Sequence, residues 1–216
     1  MSEQLETQSA EATQQANHQT LTRYYQFHSK IYDATRWSFL FGRDAIIDSV
    51  ASRCRATKIL EVGCGTGKNL RSLLDAFPEA TVTGVDVSGD MLAVARQNLA
   101  REGDRVTLLQ EPYQGAADHH PRYDLILFSY ALTMFNPGWE EAIVAAHDDL
   151  MLDGTIAVVD FHASPFKPFE RWMGVNHVRM DGHLLPKLKA HFSPLACDVA
   201  PAYGGLWQYF LFVGRK

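Results

Sequence analysis

The stretch Lys58-Ile-Leu-Glu-Val-Gly-Cys-Gly-Thr-Gly-Lys68 decides the fold of this chain. Its mainly apolar residues at 59–62 predict a short buried strand that contains one acid. The glycines that follow, Gly63, Gly65 and Gly67, predict a backbone that bends sharply and lets a ligand approach closely, since glycine has no Cβ atom. A strand that ends in such a turn indicates a nucleotide-type binding site in an α/β protein.

Spacing separates the kinds of site that use a glycine turn. A phosphate-binding P-loop needs a glycine where Val62 stands and a serine or threonine after Gly67-Lys68, but Asn69 follows instead. The dinucleotide fingerprint Gly-x-Gly-x-x-Gly has one residue more before its last glycine than this turn has, so the spacing disfavours an NAD-dependent oxidoreductase. The structural alternative is an ordinary strand-to-helix turn without a ligand.

The pattern Glu-x-Gly-x-Gly-x-Gly from Glu61 to Gly67 resembles the first motif of the class I S-adenosylmethionine-dependent methyltransferases. In that family the turn wraps the methionine part of the cofactor, and the acid, here Glu61, holds its ammonium group. A carboxylate suits this task because charge-assisted hydrogen bonds are stronger than neutral ones. The resemblance implies S-adenosylmethionine as the cofactor. It also implies a Rossmann-like α/β fold: a seven-stranded mixed sheet with helices on both faces, a C-terminal hairpin that adds an antiparallel strand, and a helical N-terminal preface.

A second apolar run at 81–86 predicts a strand that ends in Asp86. Asp86 stands at the distance from the glycine turn at which a carboxylate accepts hydrogen bonds from ribose hydroxyls in a nucleotide-binding βαβ unit. The next residues also resemble the methyltransferase pattern, in which Ser88 caps a helix and Val87 and Met91 are cofactor residues near the adenosine. A chance acid at the end of a strand is the structural alternative, and its coincidence with the glycine turn favours the cofactor role.

Two further strands are predicted at 106–110 and 123–130. The family usually has an adenine-binding acid after the third strand; here the acid is Glu111, offset from the usual place, and Tyr113 or a backbone group is the alternative. The fourth strand ends at the crevice where open α/β sheets bind ligands, so its last residues are candidates near the reactive methyl group. These candidates are Phe128, Ser129 and Tyr130.

Composition limits the classes of protein to consider. The chain has 216 residues, of which 46% are hydrophobic and 21% charged, enough for one globular domain with a sizeable core. A formal charge of −5 with interspersed signs predicts no nucleic-acid partner. The 3 cysteines form no CxxC pair and the histidines follow no ligand spacing, so neither a disulfide framework nor a metal site is predicted. Without an apolar run of ~18 residues or a signal peptide, the chain is predicted to be soluble and cytoplasmic.

The pattern along the chain predicts a tail followed by one methyltransferase domain over 19–216. Residues 1–18 have almost no large apolar side chains and are predicted to be disordered. Four parts are predicted within the domain: a helical cap at 19–52, a cofactor-binding core at 53–163, a polar and irregular lid or acceptor region at 164–193, and a terminal hairpin at 194–216. The cap carries an aromatic stripe at helical spacing, which lines the acceptor pocket or packs on the sheet.

Four stretches resemble a narrower group, the methyltransferases of bacterial betaine-lipid synthesis. They lie at 32–43, 128–134, 159–161 and 172–186. The resemblance implies an enzyme that methylates the amine of diacylglyceryl-homoserine three times and that is paired functionally with the enzyme making this lipid. Because the acyl chains of such an acceptor lie in a bilayer, we also hypothesise peripheral contact of the aromatic cap with the inner membrane surface.

An amine acceptor must lose a proton to attack the methyl group, and the site must accept a growing quaternary cation. Aromatic rings attract such a cation by roughly 1–2 kcal/mol when it is desolvated. The residues predicted to form this cage or to bind the acceptor carboxylate are Tyr24, Tyr25, Tyr130, Trp172, Arg43, His177, Arg179 and His183, and Tyr32 is predicted to contact the cofactor. Each has a structural alternative as a core or surface residue. Phosphatidylethanolamine and a quinone ring are the rival acceptors, and an inactive cofactor-binding protein is the rival outside enzymes.

Overall fold

The computed structural model describes residues 40–115, 122–135, 137–175 and 178–216. The predicted tail at 1–18 and the first helix of the predicted cap lie outside these residues. The chain divides into two units, Met1–Phe41 and Gly42–Lys216, and the elements below belong to the second.

Six α-helices and seven strands occur in the described part of the chain. The helices are α1 (Arg43–Ala51), α2 (Lys68–Ala76), α3 (Gly89–Asn98), α4 (Trp139–Asp149), α5 (Lys167–Val175) and α6 (Leu184–His191). The strands are β1 (Lys58–Val62), β2 (Thr81–Asp86), β3 (Val106–Gln110), β4 (Tyr123–Ser129), β5 (Leu150–Ala163), β6 (Ser193–Ala202) and β7 (Trp207–Arg215). Short 3-10 helices cover Gly103–Arg105, Leu132–Met134 and Tyr203–Gly205.

The strands form one sheet in the order β3-β2-β1-β4-β5-β7-β6. The first five strands of this order pair in parallel, whereas β7 is antiparallel to both β5 and β6. This confirms the predicted seven-stranded mixed sheet with an antiparallel strand supplied by a C-terminal hairpin. The order reverses between β1 and β4, and open α/β sheets bind ligands in the crevice at such a point, outside the carboxyl ends of the strands.

Helices cover both faces of the sheet, which explains why its central strands are continuous apolar runs. Val158 and Phe210 belong to one core cluster together with residues of α4 and α6. Val159 and Tyr209 point to the opposite face because side chains alternate along a strand. There the turn that opens α1 comes so close that a Cβ atom at Gly42 would lie 2.6 Å from the Tyr209 ring.

The region 164–193 differs from its sequence prediction. It was predicted to be irregular, but it contains α5 and α6, separated by a segment that bridges Asp181 to Ala163 of β5. Leu184, Leu185 and Leu188 of α6 are buried in the core, so this short helix is stabilised by tertiary packing. Polar residues and a proline around those leucines hid the helical period.

Candidate cofactor and acceptor site

The glycine turn after β1 has the backbone that its sequence predicts. Gly63, Gly65 and Gly67 all have left-handed backbones, with φ of 72°, 53° and 76°. The amide of Gly63 donates to the Val85 carbonyl at 2.8 Å, which ties the turn to β2. A Cβ atom at position 63 would lie 2.9 Å from the Cβ atom of Ala131, so only glycine allows this approach. The turn therefore lies at the carboxyl edge of the sheet, where Gly63 and Thr66 are partly exposed and Gly65 and Gly67 are buried.

Asp86 braces the glycine turn from the end of β2. Its Oδ2 atom accepts a hydrogen bond from the Gly65 amide at 2.8 Å, and its Oδ1 atom accepts one from the Ser88 amide at 2.9 Å. Ser88 in turn caps α3, because its Oγ atom accepts from the Met91 amide at 3.3 Å. A carboxylate oxygen can accept more than one hydrogen bond, so Asp86 keeps acceptor capacity for ribose hydroxyls.

Glu61 is only 1% exposed and is held by a relay of polar side chains. Its Oε1 atom accepts from Asn69 Nδ2 at 2.7 Å, and Asn69 Oδ1 accepts from Arg43 Nε at 2.9 Å. Sequence reasoning missed Asn69, although a polar residue among the leucines of α2 was a detectable signal. Arg43 was predicted to hold the acceptor carboxylate or glycerol oxygens; its Nε atom belongs to the Glu61 relay, and the acceptor role stays a prediction.

Two further features at the carboxyl edge suit a ligand with polar and apolar parts. Ser129, at the end of β4, is 5% exposed, and its Oγ atom has no hydrogen-bond partner among the described residues. A buried hydroxyl without a partner is costly, so a ligand that bonds it would be favoured. Val87 directly follows Asp86 and is 68% exposed, so its apolar side chain is accessible to the apolar part of a ligand. The neighbouring Met91 is half-buried.

The adenine side of the site differs in part from the sequence prediction. Phe128 is fully buried and packs in the core with its ring edge-on to Tyr113, and its contact with the cofactor stays a prediction. Tyr113 donates its hydroxyl to Asp149 Oδ2 at 3.0 Å, which engages it in the core as well. Burial and the Asp149 carboxylate raise the pKa of Tyr113 above its usual range. Glu111 is exposed beyond β3, and its adenine role stays a prediction.

Gln110 is a candidate that the sequence reasoning missed. It is the last residue of β3 and pairs in register with Asp86 of β2. Its side-chain Nε2 atom would lie 2.9 Å from a Cβ atom at Gly89, which places the amide at the start of α3. An amide both donates and accepts hydrogen bonds, as an adenine edge requires.

Tyr130 sits at the turn after β4 in a strained conformation. Its φ is 55°, which is uncommon for a residue with a side chain. Its amide donates to the Val159 carbonyl at 2.8 Å, and its ring lies edge-on to Phe161 with centroids 4.8 Å apart. The side chain is 2% exposed. Strained backbone of this kind clusters at functional sites, and the position of Tyr130 near the methyl group stays a prediction.

Asp160 of β5 is fully buried beneath the same turn. Its Oδ1 atom accepts from the Thr133 hydroxyl at 2.5 Å and from the Phe161 amide at 2.8 Å, and its Oδ2 atom accepts from the Thr133 amide at 3.1 Å. Burial raises the pKa of Asp160 to about 6, although the hydrogen bonds from Thr133 and Phe161 oppose this shift.

Asp181 engages two of the residues that were predicted to bind the acceptor carboxylate. Arg179 Nε donates to Asp181 Oδ2 at 2.6 Å, and His183 Nδ1 contacts Asp181 Oδ1. Burial lowers the pKa of His183, although Asp181 opposes the shift. His162, at the end of β5, has a buried Nδ1 atom without a partner among the described residues, and burial lowers its pKa too. The nearby Gly182 amide donates to the His162 carbonyl at 2.8 Å.

The remaining predicted site residues, Tyr24, Tyr25, Tyr32 and His177, lie outside the described residues. Trp172 is exposed on α5. No group of three or more histidine, cysteine, aspartate or glutamate side chains in the described ranges is arranged to hold a metal ion. Among those same ranges, no helix has the length and apolar character needed to cross a membrane.

Sequence comparison places part of this chain near known methyltransferases. A family model described as a methyltransferase domain matches residues 59–154. The malonyl-[acyl-carrier protein] O-methyltransferase of Priestia megaterium is 30% identical over 122 residues, which are 56% of this chain and 43% of that relative. The chain thus spans less than half the length of this curated relative.

Solved structures share the fold over most of the chain. The N-methyltransferase NodS of Bradyrhizobium japonicum, solved with S-adenosyl-L-homocysteine, has a TM-score of 0.67 and 16% identity, covering 81% of this chain and 85% of that chain. The 1,6-didemethyltoxoflavin-N1-methyltransferase of Burkholderia thailandensis, also solved with S-adenosylhomocysteine, has a TM-score of 0.66 and 21% identity, covering 92% of this chain and 89% of that chain. At these identities the likeness shows the fold.

Proposed function

We propose that this chain, which has the fold of the class I methyltransferases, is an S-adenosylmethionine-dependent methyltransferase. The observation that carries the proposal is the turn of three left-handed glycines, which is braced by Asp86 and closed against Ala131. The bound cofactor would supply a methyl group on a sulfonium centre. The turn lies inside the part of the chain that matches the methyltransferase-domain model, which supports the same conclusion.

The residues at the edge of the sheet fit such a cofactor. Glu61 has a buried carboxylate for the ammonium group, and Ser129 has a buried hydroxyl for a polar group of the methionine part. Asp86 would accept hydrogen bonds from the ribose hydroxyls. Val87 and Met91 offer apolar surface for the adenine ring, with Glu111 or Gln110 as its polar partner.

For the acceptor, we propose the amine of diacylglyceryl-homoserine, methylated three times. The resemblance of the stretches at 32–43, 128–134, 159–161 and 172–186 to betaine-lipid methyltransferases supports this acceptor. Asp181 adds a carboxylate to the acceptor side, which would attract an amine or a quaternary cation. Arg179 uses Nε for Asp181, so only its two other nitrogen atoms remain to hold the homoserine carboxylate.

The proposed reaction needs a neutral amine aligned with the transferred methyl group. Tyr130 would border the amine, and its ring would stabilise the growing positive charge. A lowered pKa keeps His162 and His183 neutral near pH 7, so either imidazole can accept the proton that the amine releases. Methyl transfer then depends mainly on placing the two reactants in line.

A carboxyl acceptor is the rival that the curated relatives raise, since the relative from Priestia megaterium is an O-methyltransferase. Lipid mass spectrometry separates the two acceptors. The chain would be expressed in a host without betaine lipid, alone and together with an enzyme that makes diacylglyceryl-homoserine. We expect trimethylated lipid only in the paired strain, and none with Gly65→Val. Binding of S-adenosylmethionine without any methylated lipid would keep the enzyme class and reject this acceptor.

A further inference from the structure

We infer that Asp160 is a positioning residue for methyl transfer, because it fixes through Thr133 the turn at 130–134 that carries Tyr130 and closes on the glycine turn. Its effect on turnover rests on the proposed function, whereas its effect on the turn follows from the contacts alone. Asp160 touches neither cofactor nor acceptor in this role. It acts through the backbone that presents Tyr130.

The first step of the argument is the unusual environment of the Asp160 carboxylate. It is fully buried in an otherwise apolar run of β5, and the groups that donate to it are the amide and hydroxyl of Thr133 and the amides of Phe161 and Leu132. Burying a carboxylate is costly, and an apolar side chain of similar size would fill the space at lower cost. The carboxylate therefore serves the turn, since all its donors except the Phe161 amide belong to Leu132 and Thr133.

The second step is that β5 holds this turn at two points. The Val159 carbonyl accepts the Tyr130 amide at 2.8 Å at the start of the turn, and Asp160 binds Thr133 in its middle. Between these points lies Ala131, the residue that approaches Gly63 so closely that no side chain fits there. Any movement of the turn would consequently reach the glycine turn through Ala131.

The third step concerns Tyr130 itself. A left-handed backbone at a tyrosine persists only when the surrounding structure enforces it. Three successive residues of β5 do so: Val159 binds its amide, Asp160 holds the turn that follows, and Phe161 packs against its ring. Releasing Thr133 would let Tyr130 relax to an ordinary backbone and move its ring.

Three variants and one matched control test this inference on the full-length purified chain. Thr133→Val removes the hydroxyl donor but keeps the shape, Asp160→Asn removes the charge, and Thr133→Ser restores the donor. The control is Thr155→Val. Thr155 lies in β5 like Asp160 and is as buried as Thr133, but its side chain hydrogen-bonds to Cys54 at the opposite end of the sheet. Each protein is measured for amide hydrogen exchange at 129–135, for S-adenosylhomocysteine affinity by calorimetry, for thermal stability, and for kcat and KM.

We expect Thr133→Val and Asp160→Asn to speed exchange in the turn at least roughly tenfold, since local opening controls exchange. The dissociation constant for S-adenosylhomocysteine should rise several-fold, and kcat should fall roughly ten- to hundredfold, because small misplacements of reacting groups cost that much. Thr133→Ser should stay near the wild type. Thr155→Val should lose stability without changing the exchange of the turn or kcat.

The inference is overturned if Thr133→Val and Asp160→Asn behave like Thr155→Val, because Asp160 would then support the fold in general and not the turn. Faster exchange and weaker S-adenosylhomocysteine binding in these two variants alone support it. These two readouts need no acceptor. A wild-type chain that binds S-adenosylhomocysteine but transfers no methyl group to diacylglyceryl-homoserine therefore rejects the proposed acceptor, while exchange and affinity still decide the role of Asp160.

Discussion

The left-handed backbone at Gly65 makes this position intolerant of side chains. With φ of 53°, a valine there would be strained, and we expect Gly65→Val to weaken S-adenosylhomocysteine binding by at least roughly tenfold while unfolding stays cooperative. Calorimetry and thermal unfolding check both parts. Gly103→Val is the matched control, because Gly103 has a φ of 57°, no atom of the described residues lies within 4 Å of its missing Cβ, and it is far along the chain from the turn. Equal loss of binding in both variants would contradict the proposed turn geometry.

Asp86 combines a bracing role with the proposed ribose role, and both would be lost in Asp86→Ala. We expect a loss of about 1–3 kcal/mol in cofactor binding free energy, since donors of the turn and the ligand lose their acceptor. Asp124→Ala is the control: Asp124 Oδ2 accepts from the amides of Thr57 and Lys58, bracing the other end of β1 in the same way. Unchanged affinity in Asp86→Ala, measured by calorimetry, would reject the ribose assignment.

Residues close in sequence were predictable, and contacts between distant residues were not. The glycine turn and the Ser88 cap follow from local spacing, and the structure has both. The relay through Asn69 and the bond from Thr133 to Asp160 join residues on separate elements, so no periodicity reveals them. For Phe128 the sequence predicted the place at the end of β4 but not the direction of its ring, because a strand-end position fixes only where a residue lies.

At the scale of the elements, burial of Asp160 in β5 predicts a pH dependence of stability. Its pKa of about 6 in the folded state exceeds the ordinary unfolded value, so the folded state holds a proton between about pH 4 and 6 that the unfolded state has released. The stability that this proton gives the folded state is fully present below about pH 4. It is lost as the pH rises through 6, which lowers the free energy of unfolding by about 3 kcal/mol. Urea unfolding of the wild type and Asp160→Asn from pH 4 to 7 checks it. The stability of the wild type relative to that of Asp160→Asn should fall as the pH rises, and a constant difference would contradict the assignment.

The predicted strands and helices agree with the structure where the pattern is long or bounded by a clear turn. The strands at 81–86 and 106–110 were predicted at their observed bounds. In contrast, β5 was predicted to begin at Gly154 but begins at Leu150. Its first residue pairs with Tyr123 of β4, and the register then shifts before the regular pairing starts at Thr155. Helix α6 was missed since eight residues give too few turns for a helical period to show.

At the scale of the whole molecule, cofactor binding should stabilise the fold, because the site joins the ends of β1, β2 and β4. A ligand at 100 times its dissociation constant contributes about 2.7 kcal/mol, which corresponds to a Tm rise of roughly 5–10 °C for a chain of this size. Scanning calorimetry with S-adenosylhomocysteine checks this, and Gly65→Val should show no such rise. An equal rise in the variant would place the ligand elsewhere.

The position of β7 has a consequence for how the nascent chain acquires its sheet. This strand is the last in sequence, yet it lies between β5 and β6 and pairs with both along their length. While the polypeptide is still on the ribosome, the edge of β5 has no neighbour, and β6 has nothing to pair with. Such an edge is prone to misassociation until β7 pairs with it, so the interval before β7 docks is the stage of folding most exposed to aggregation.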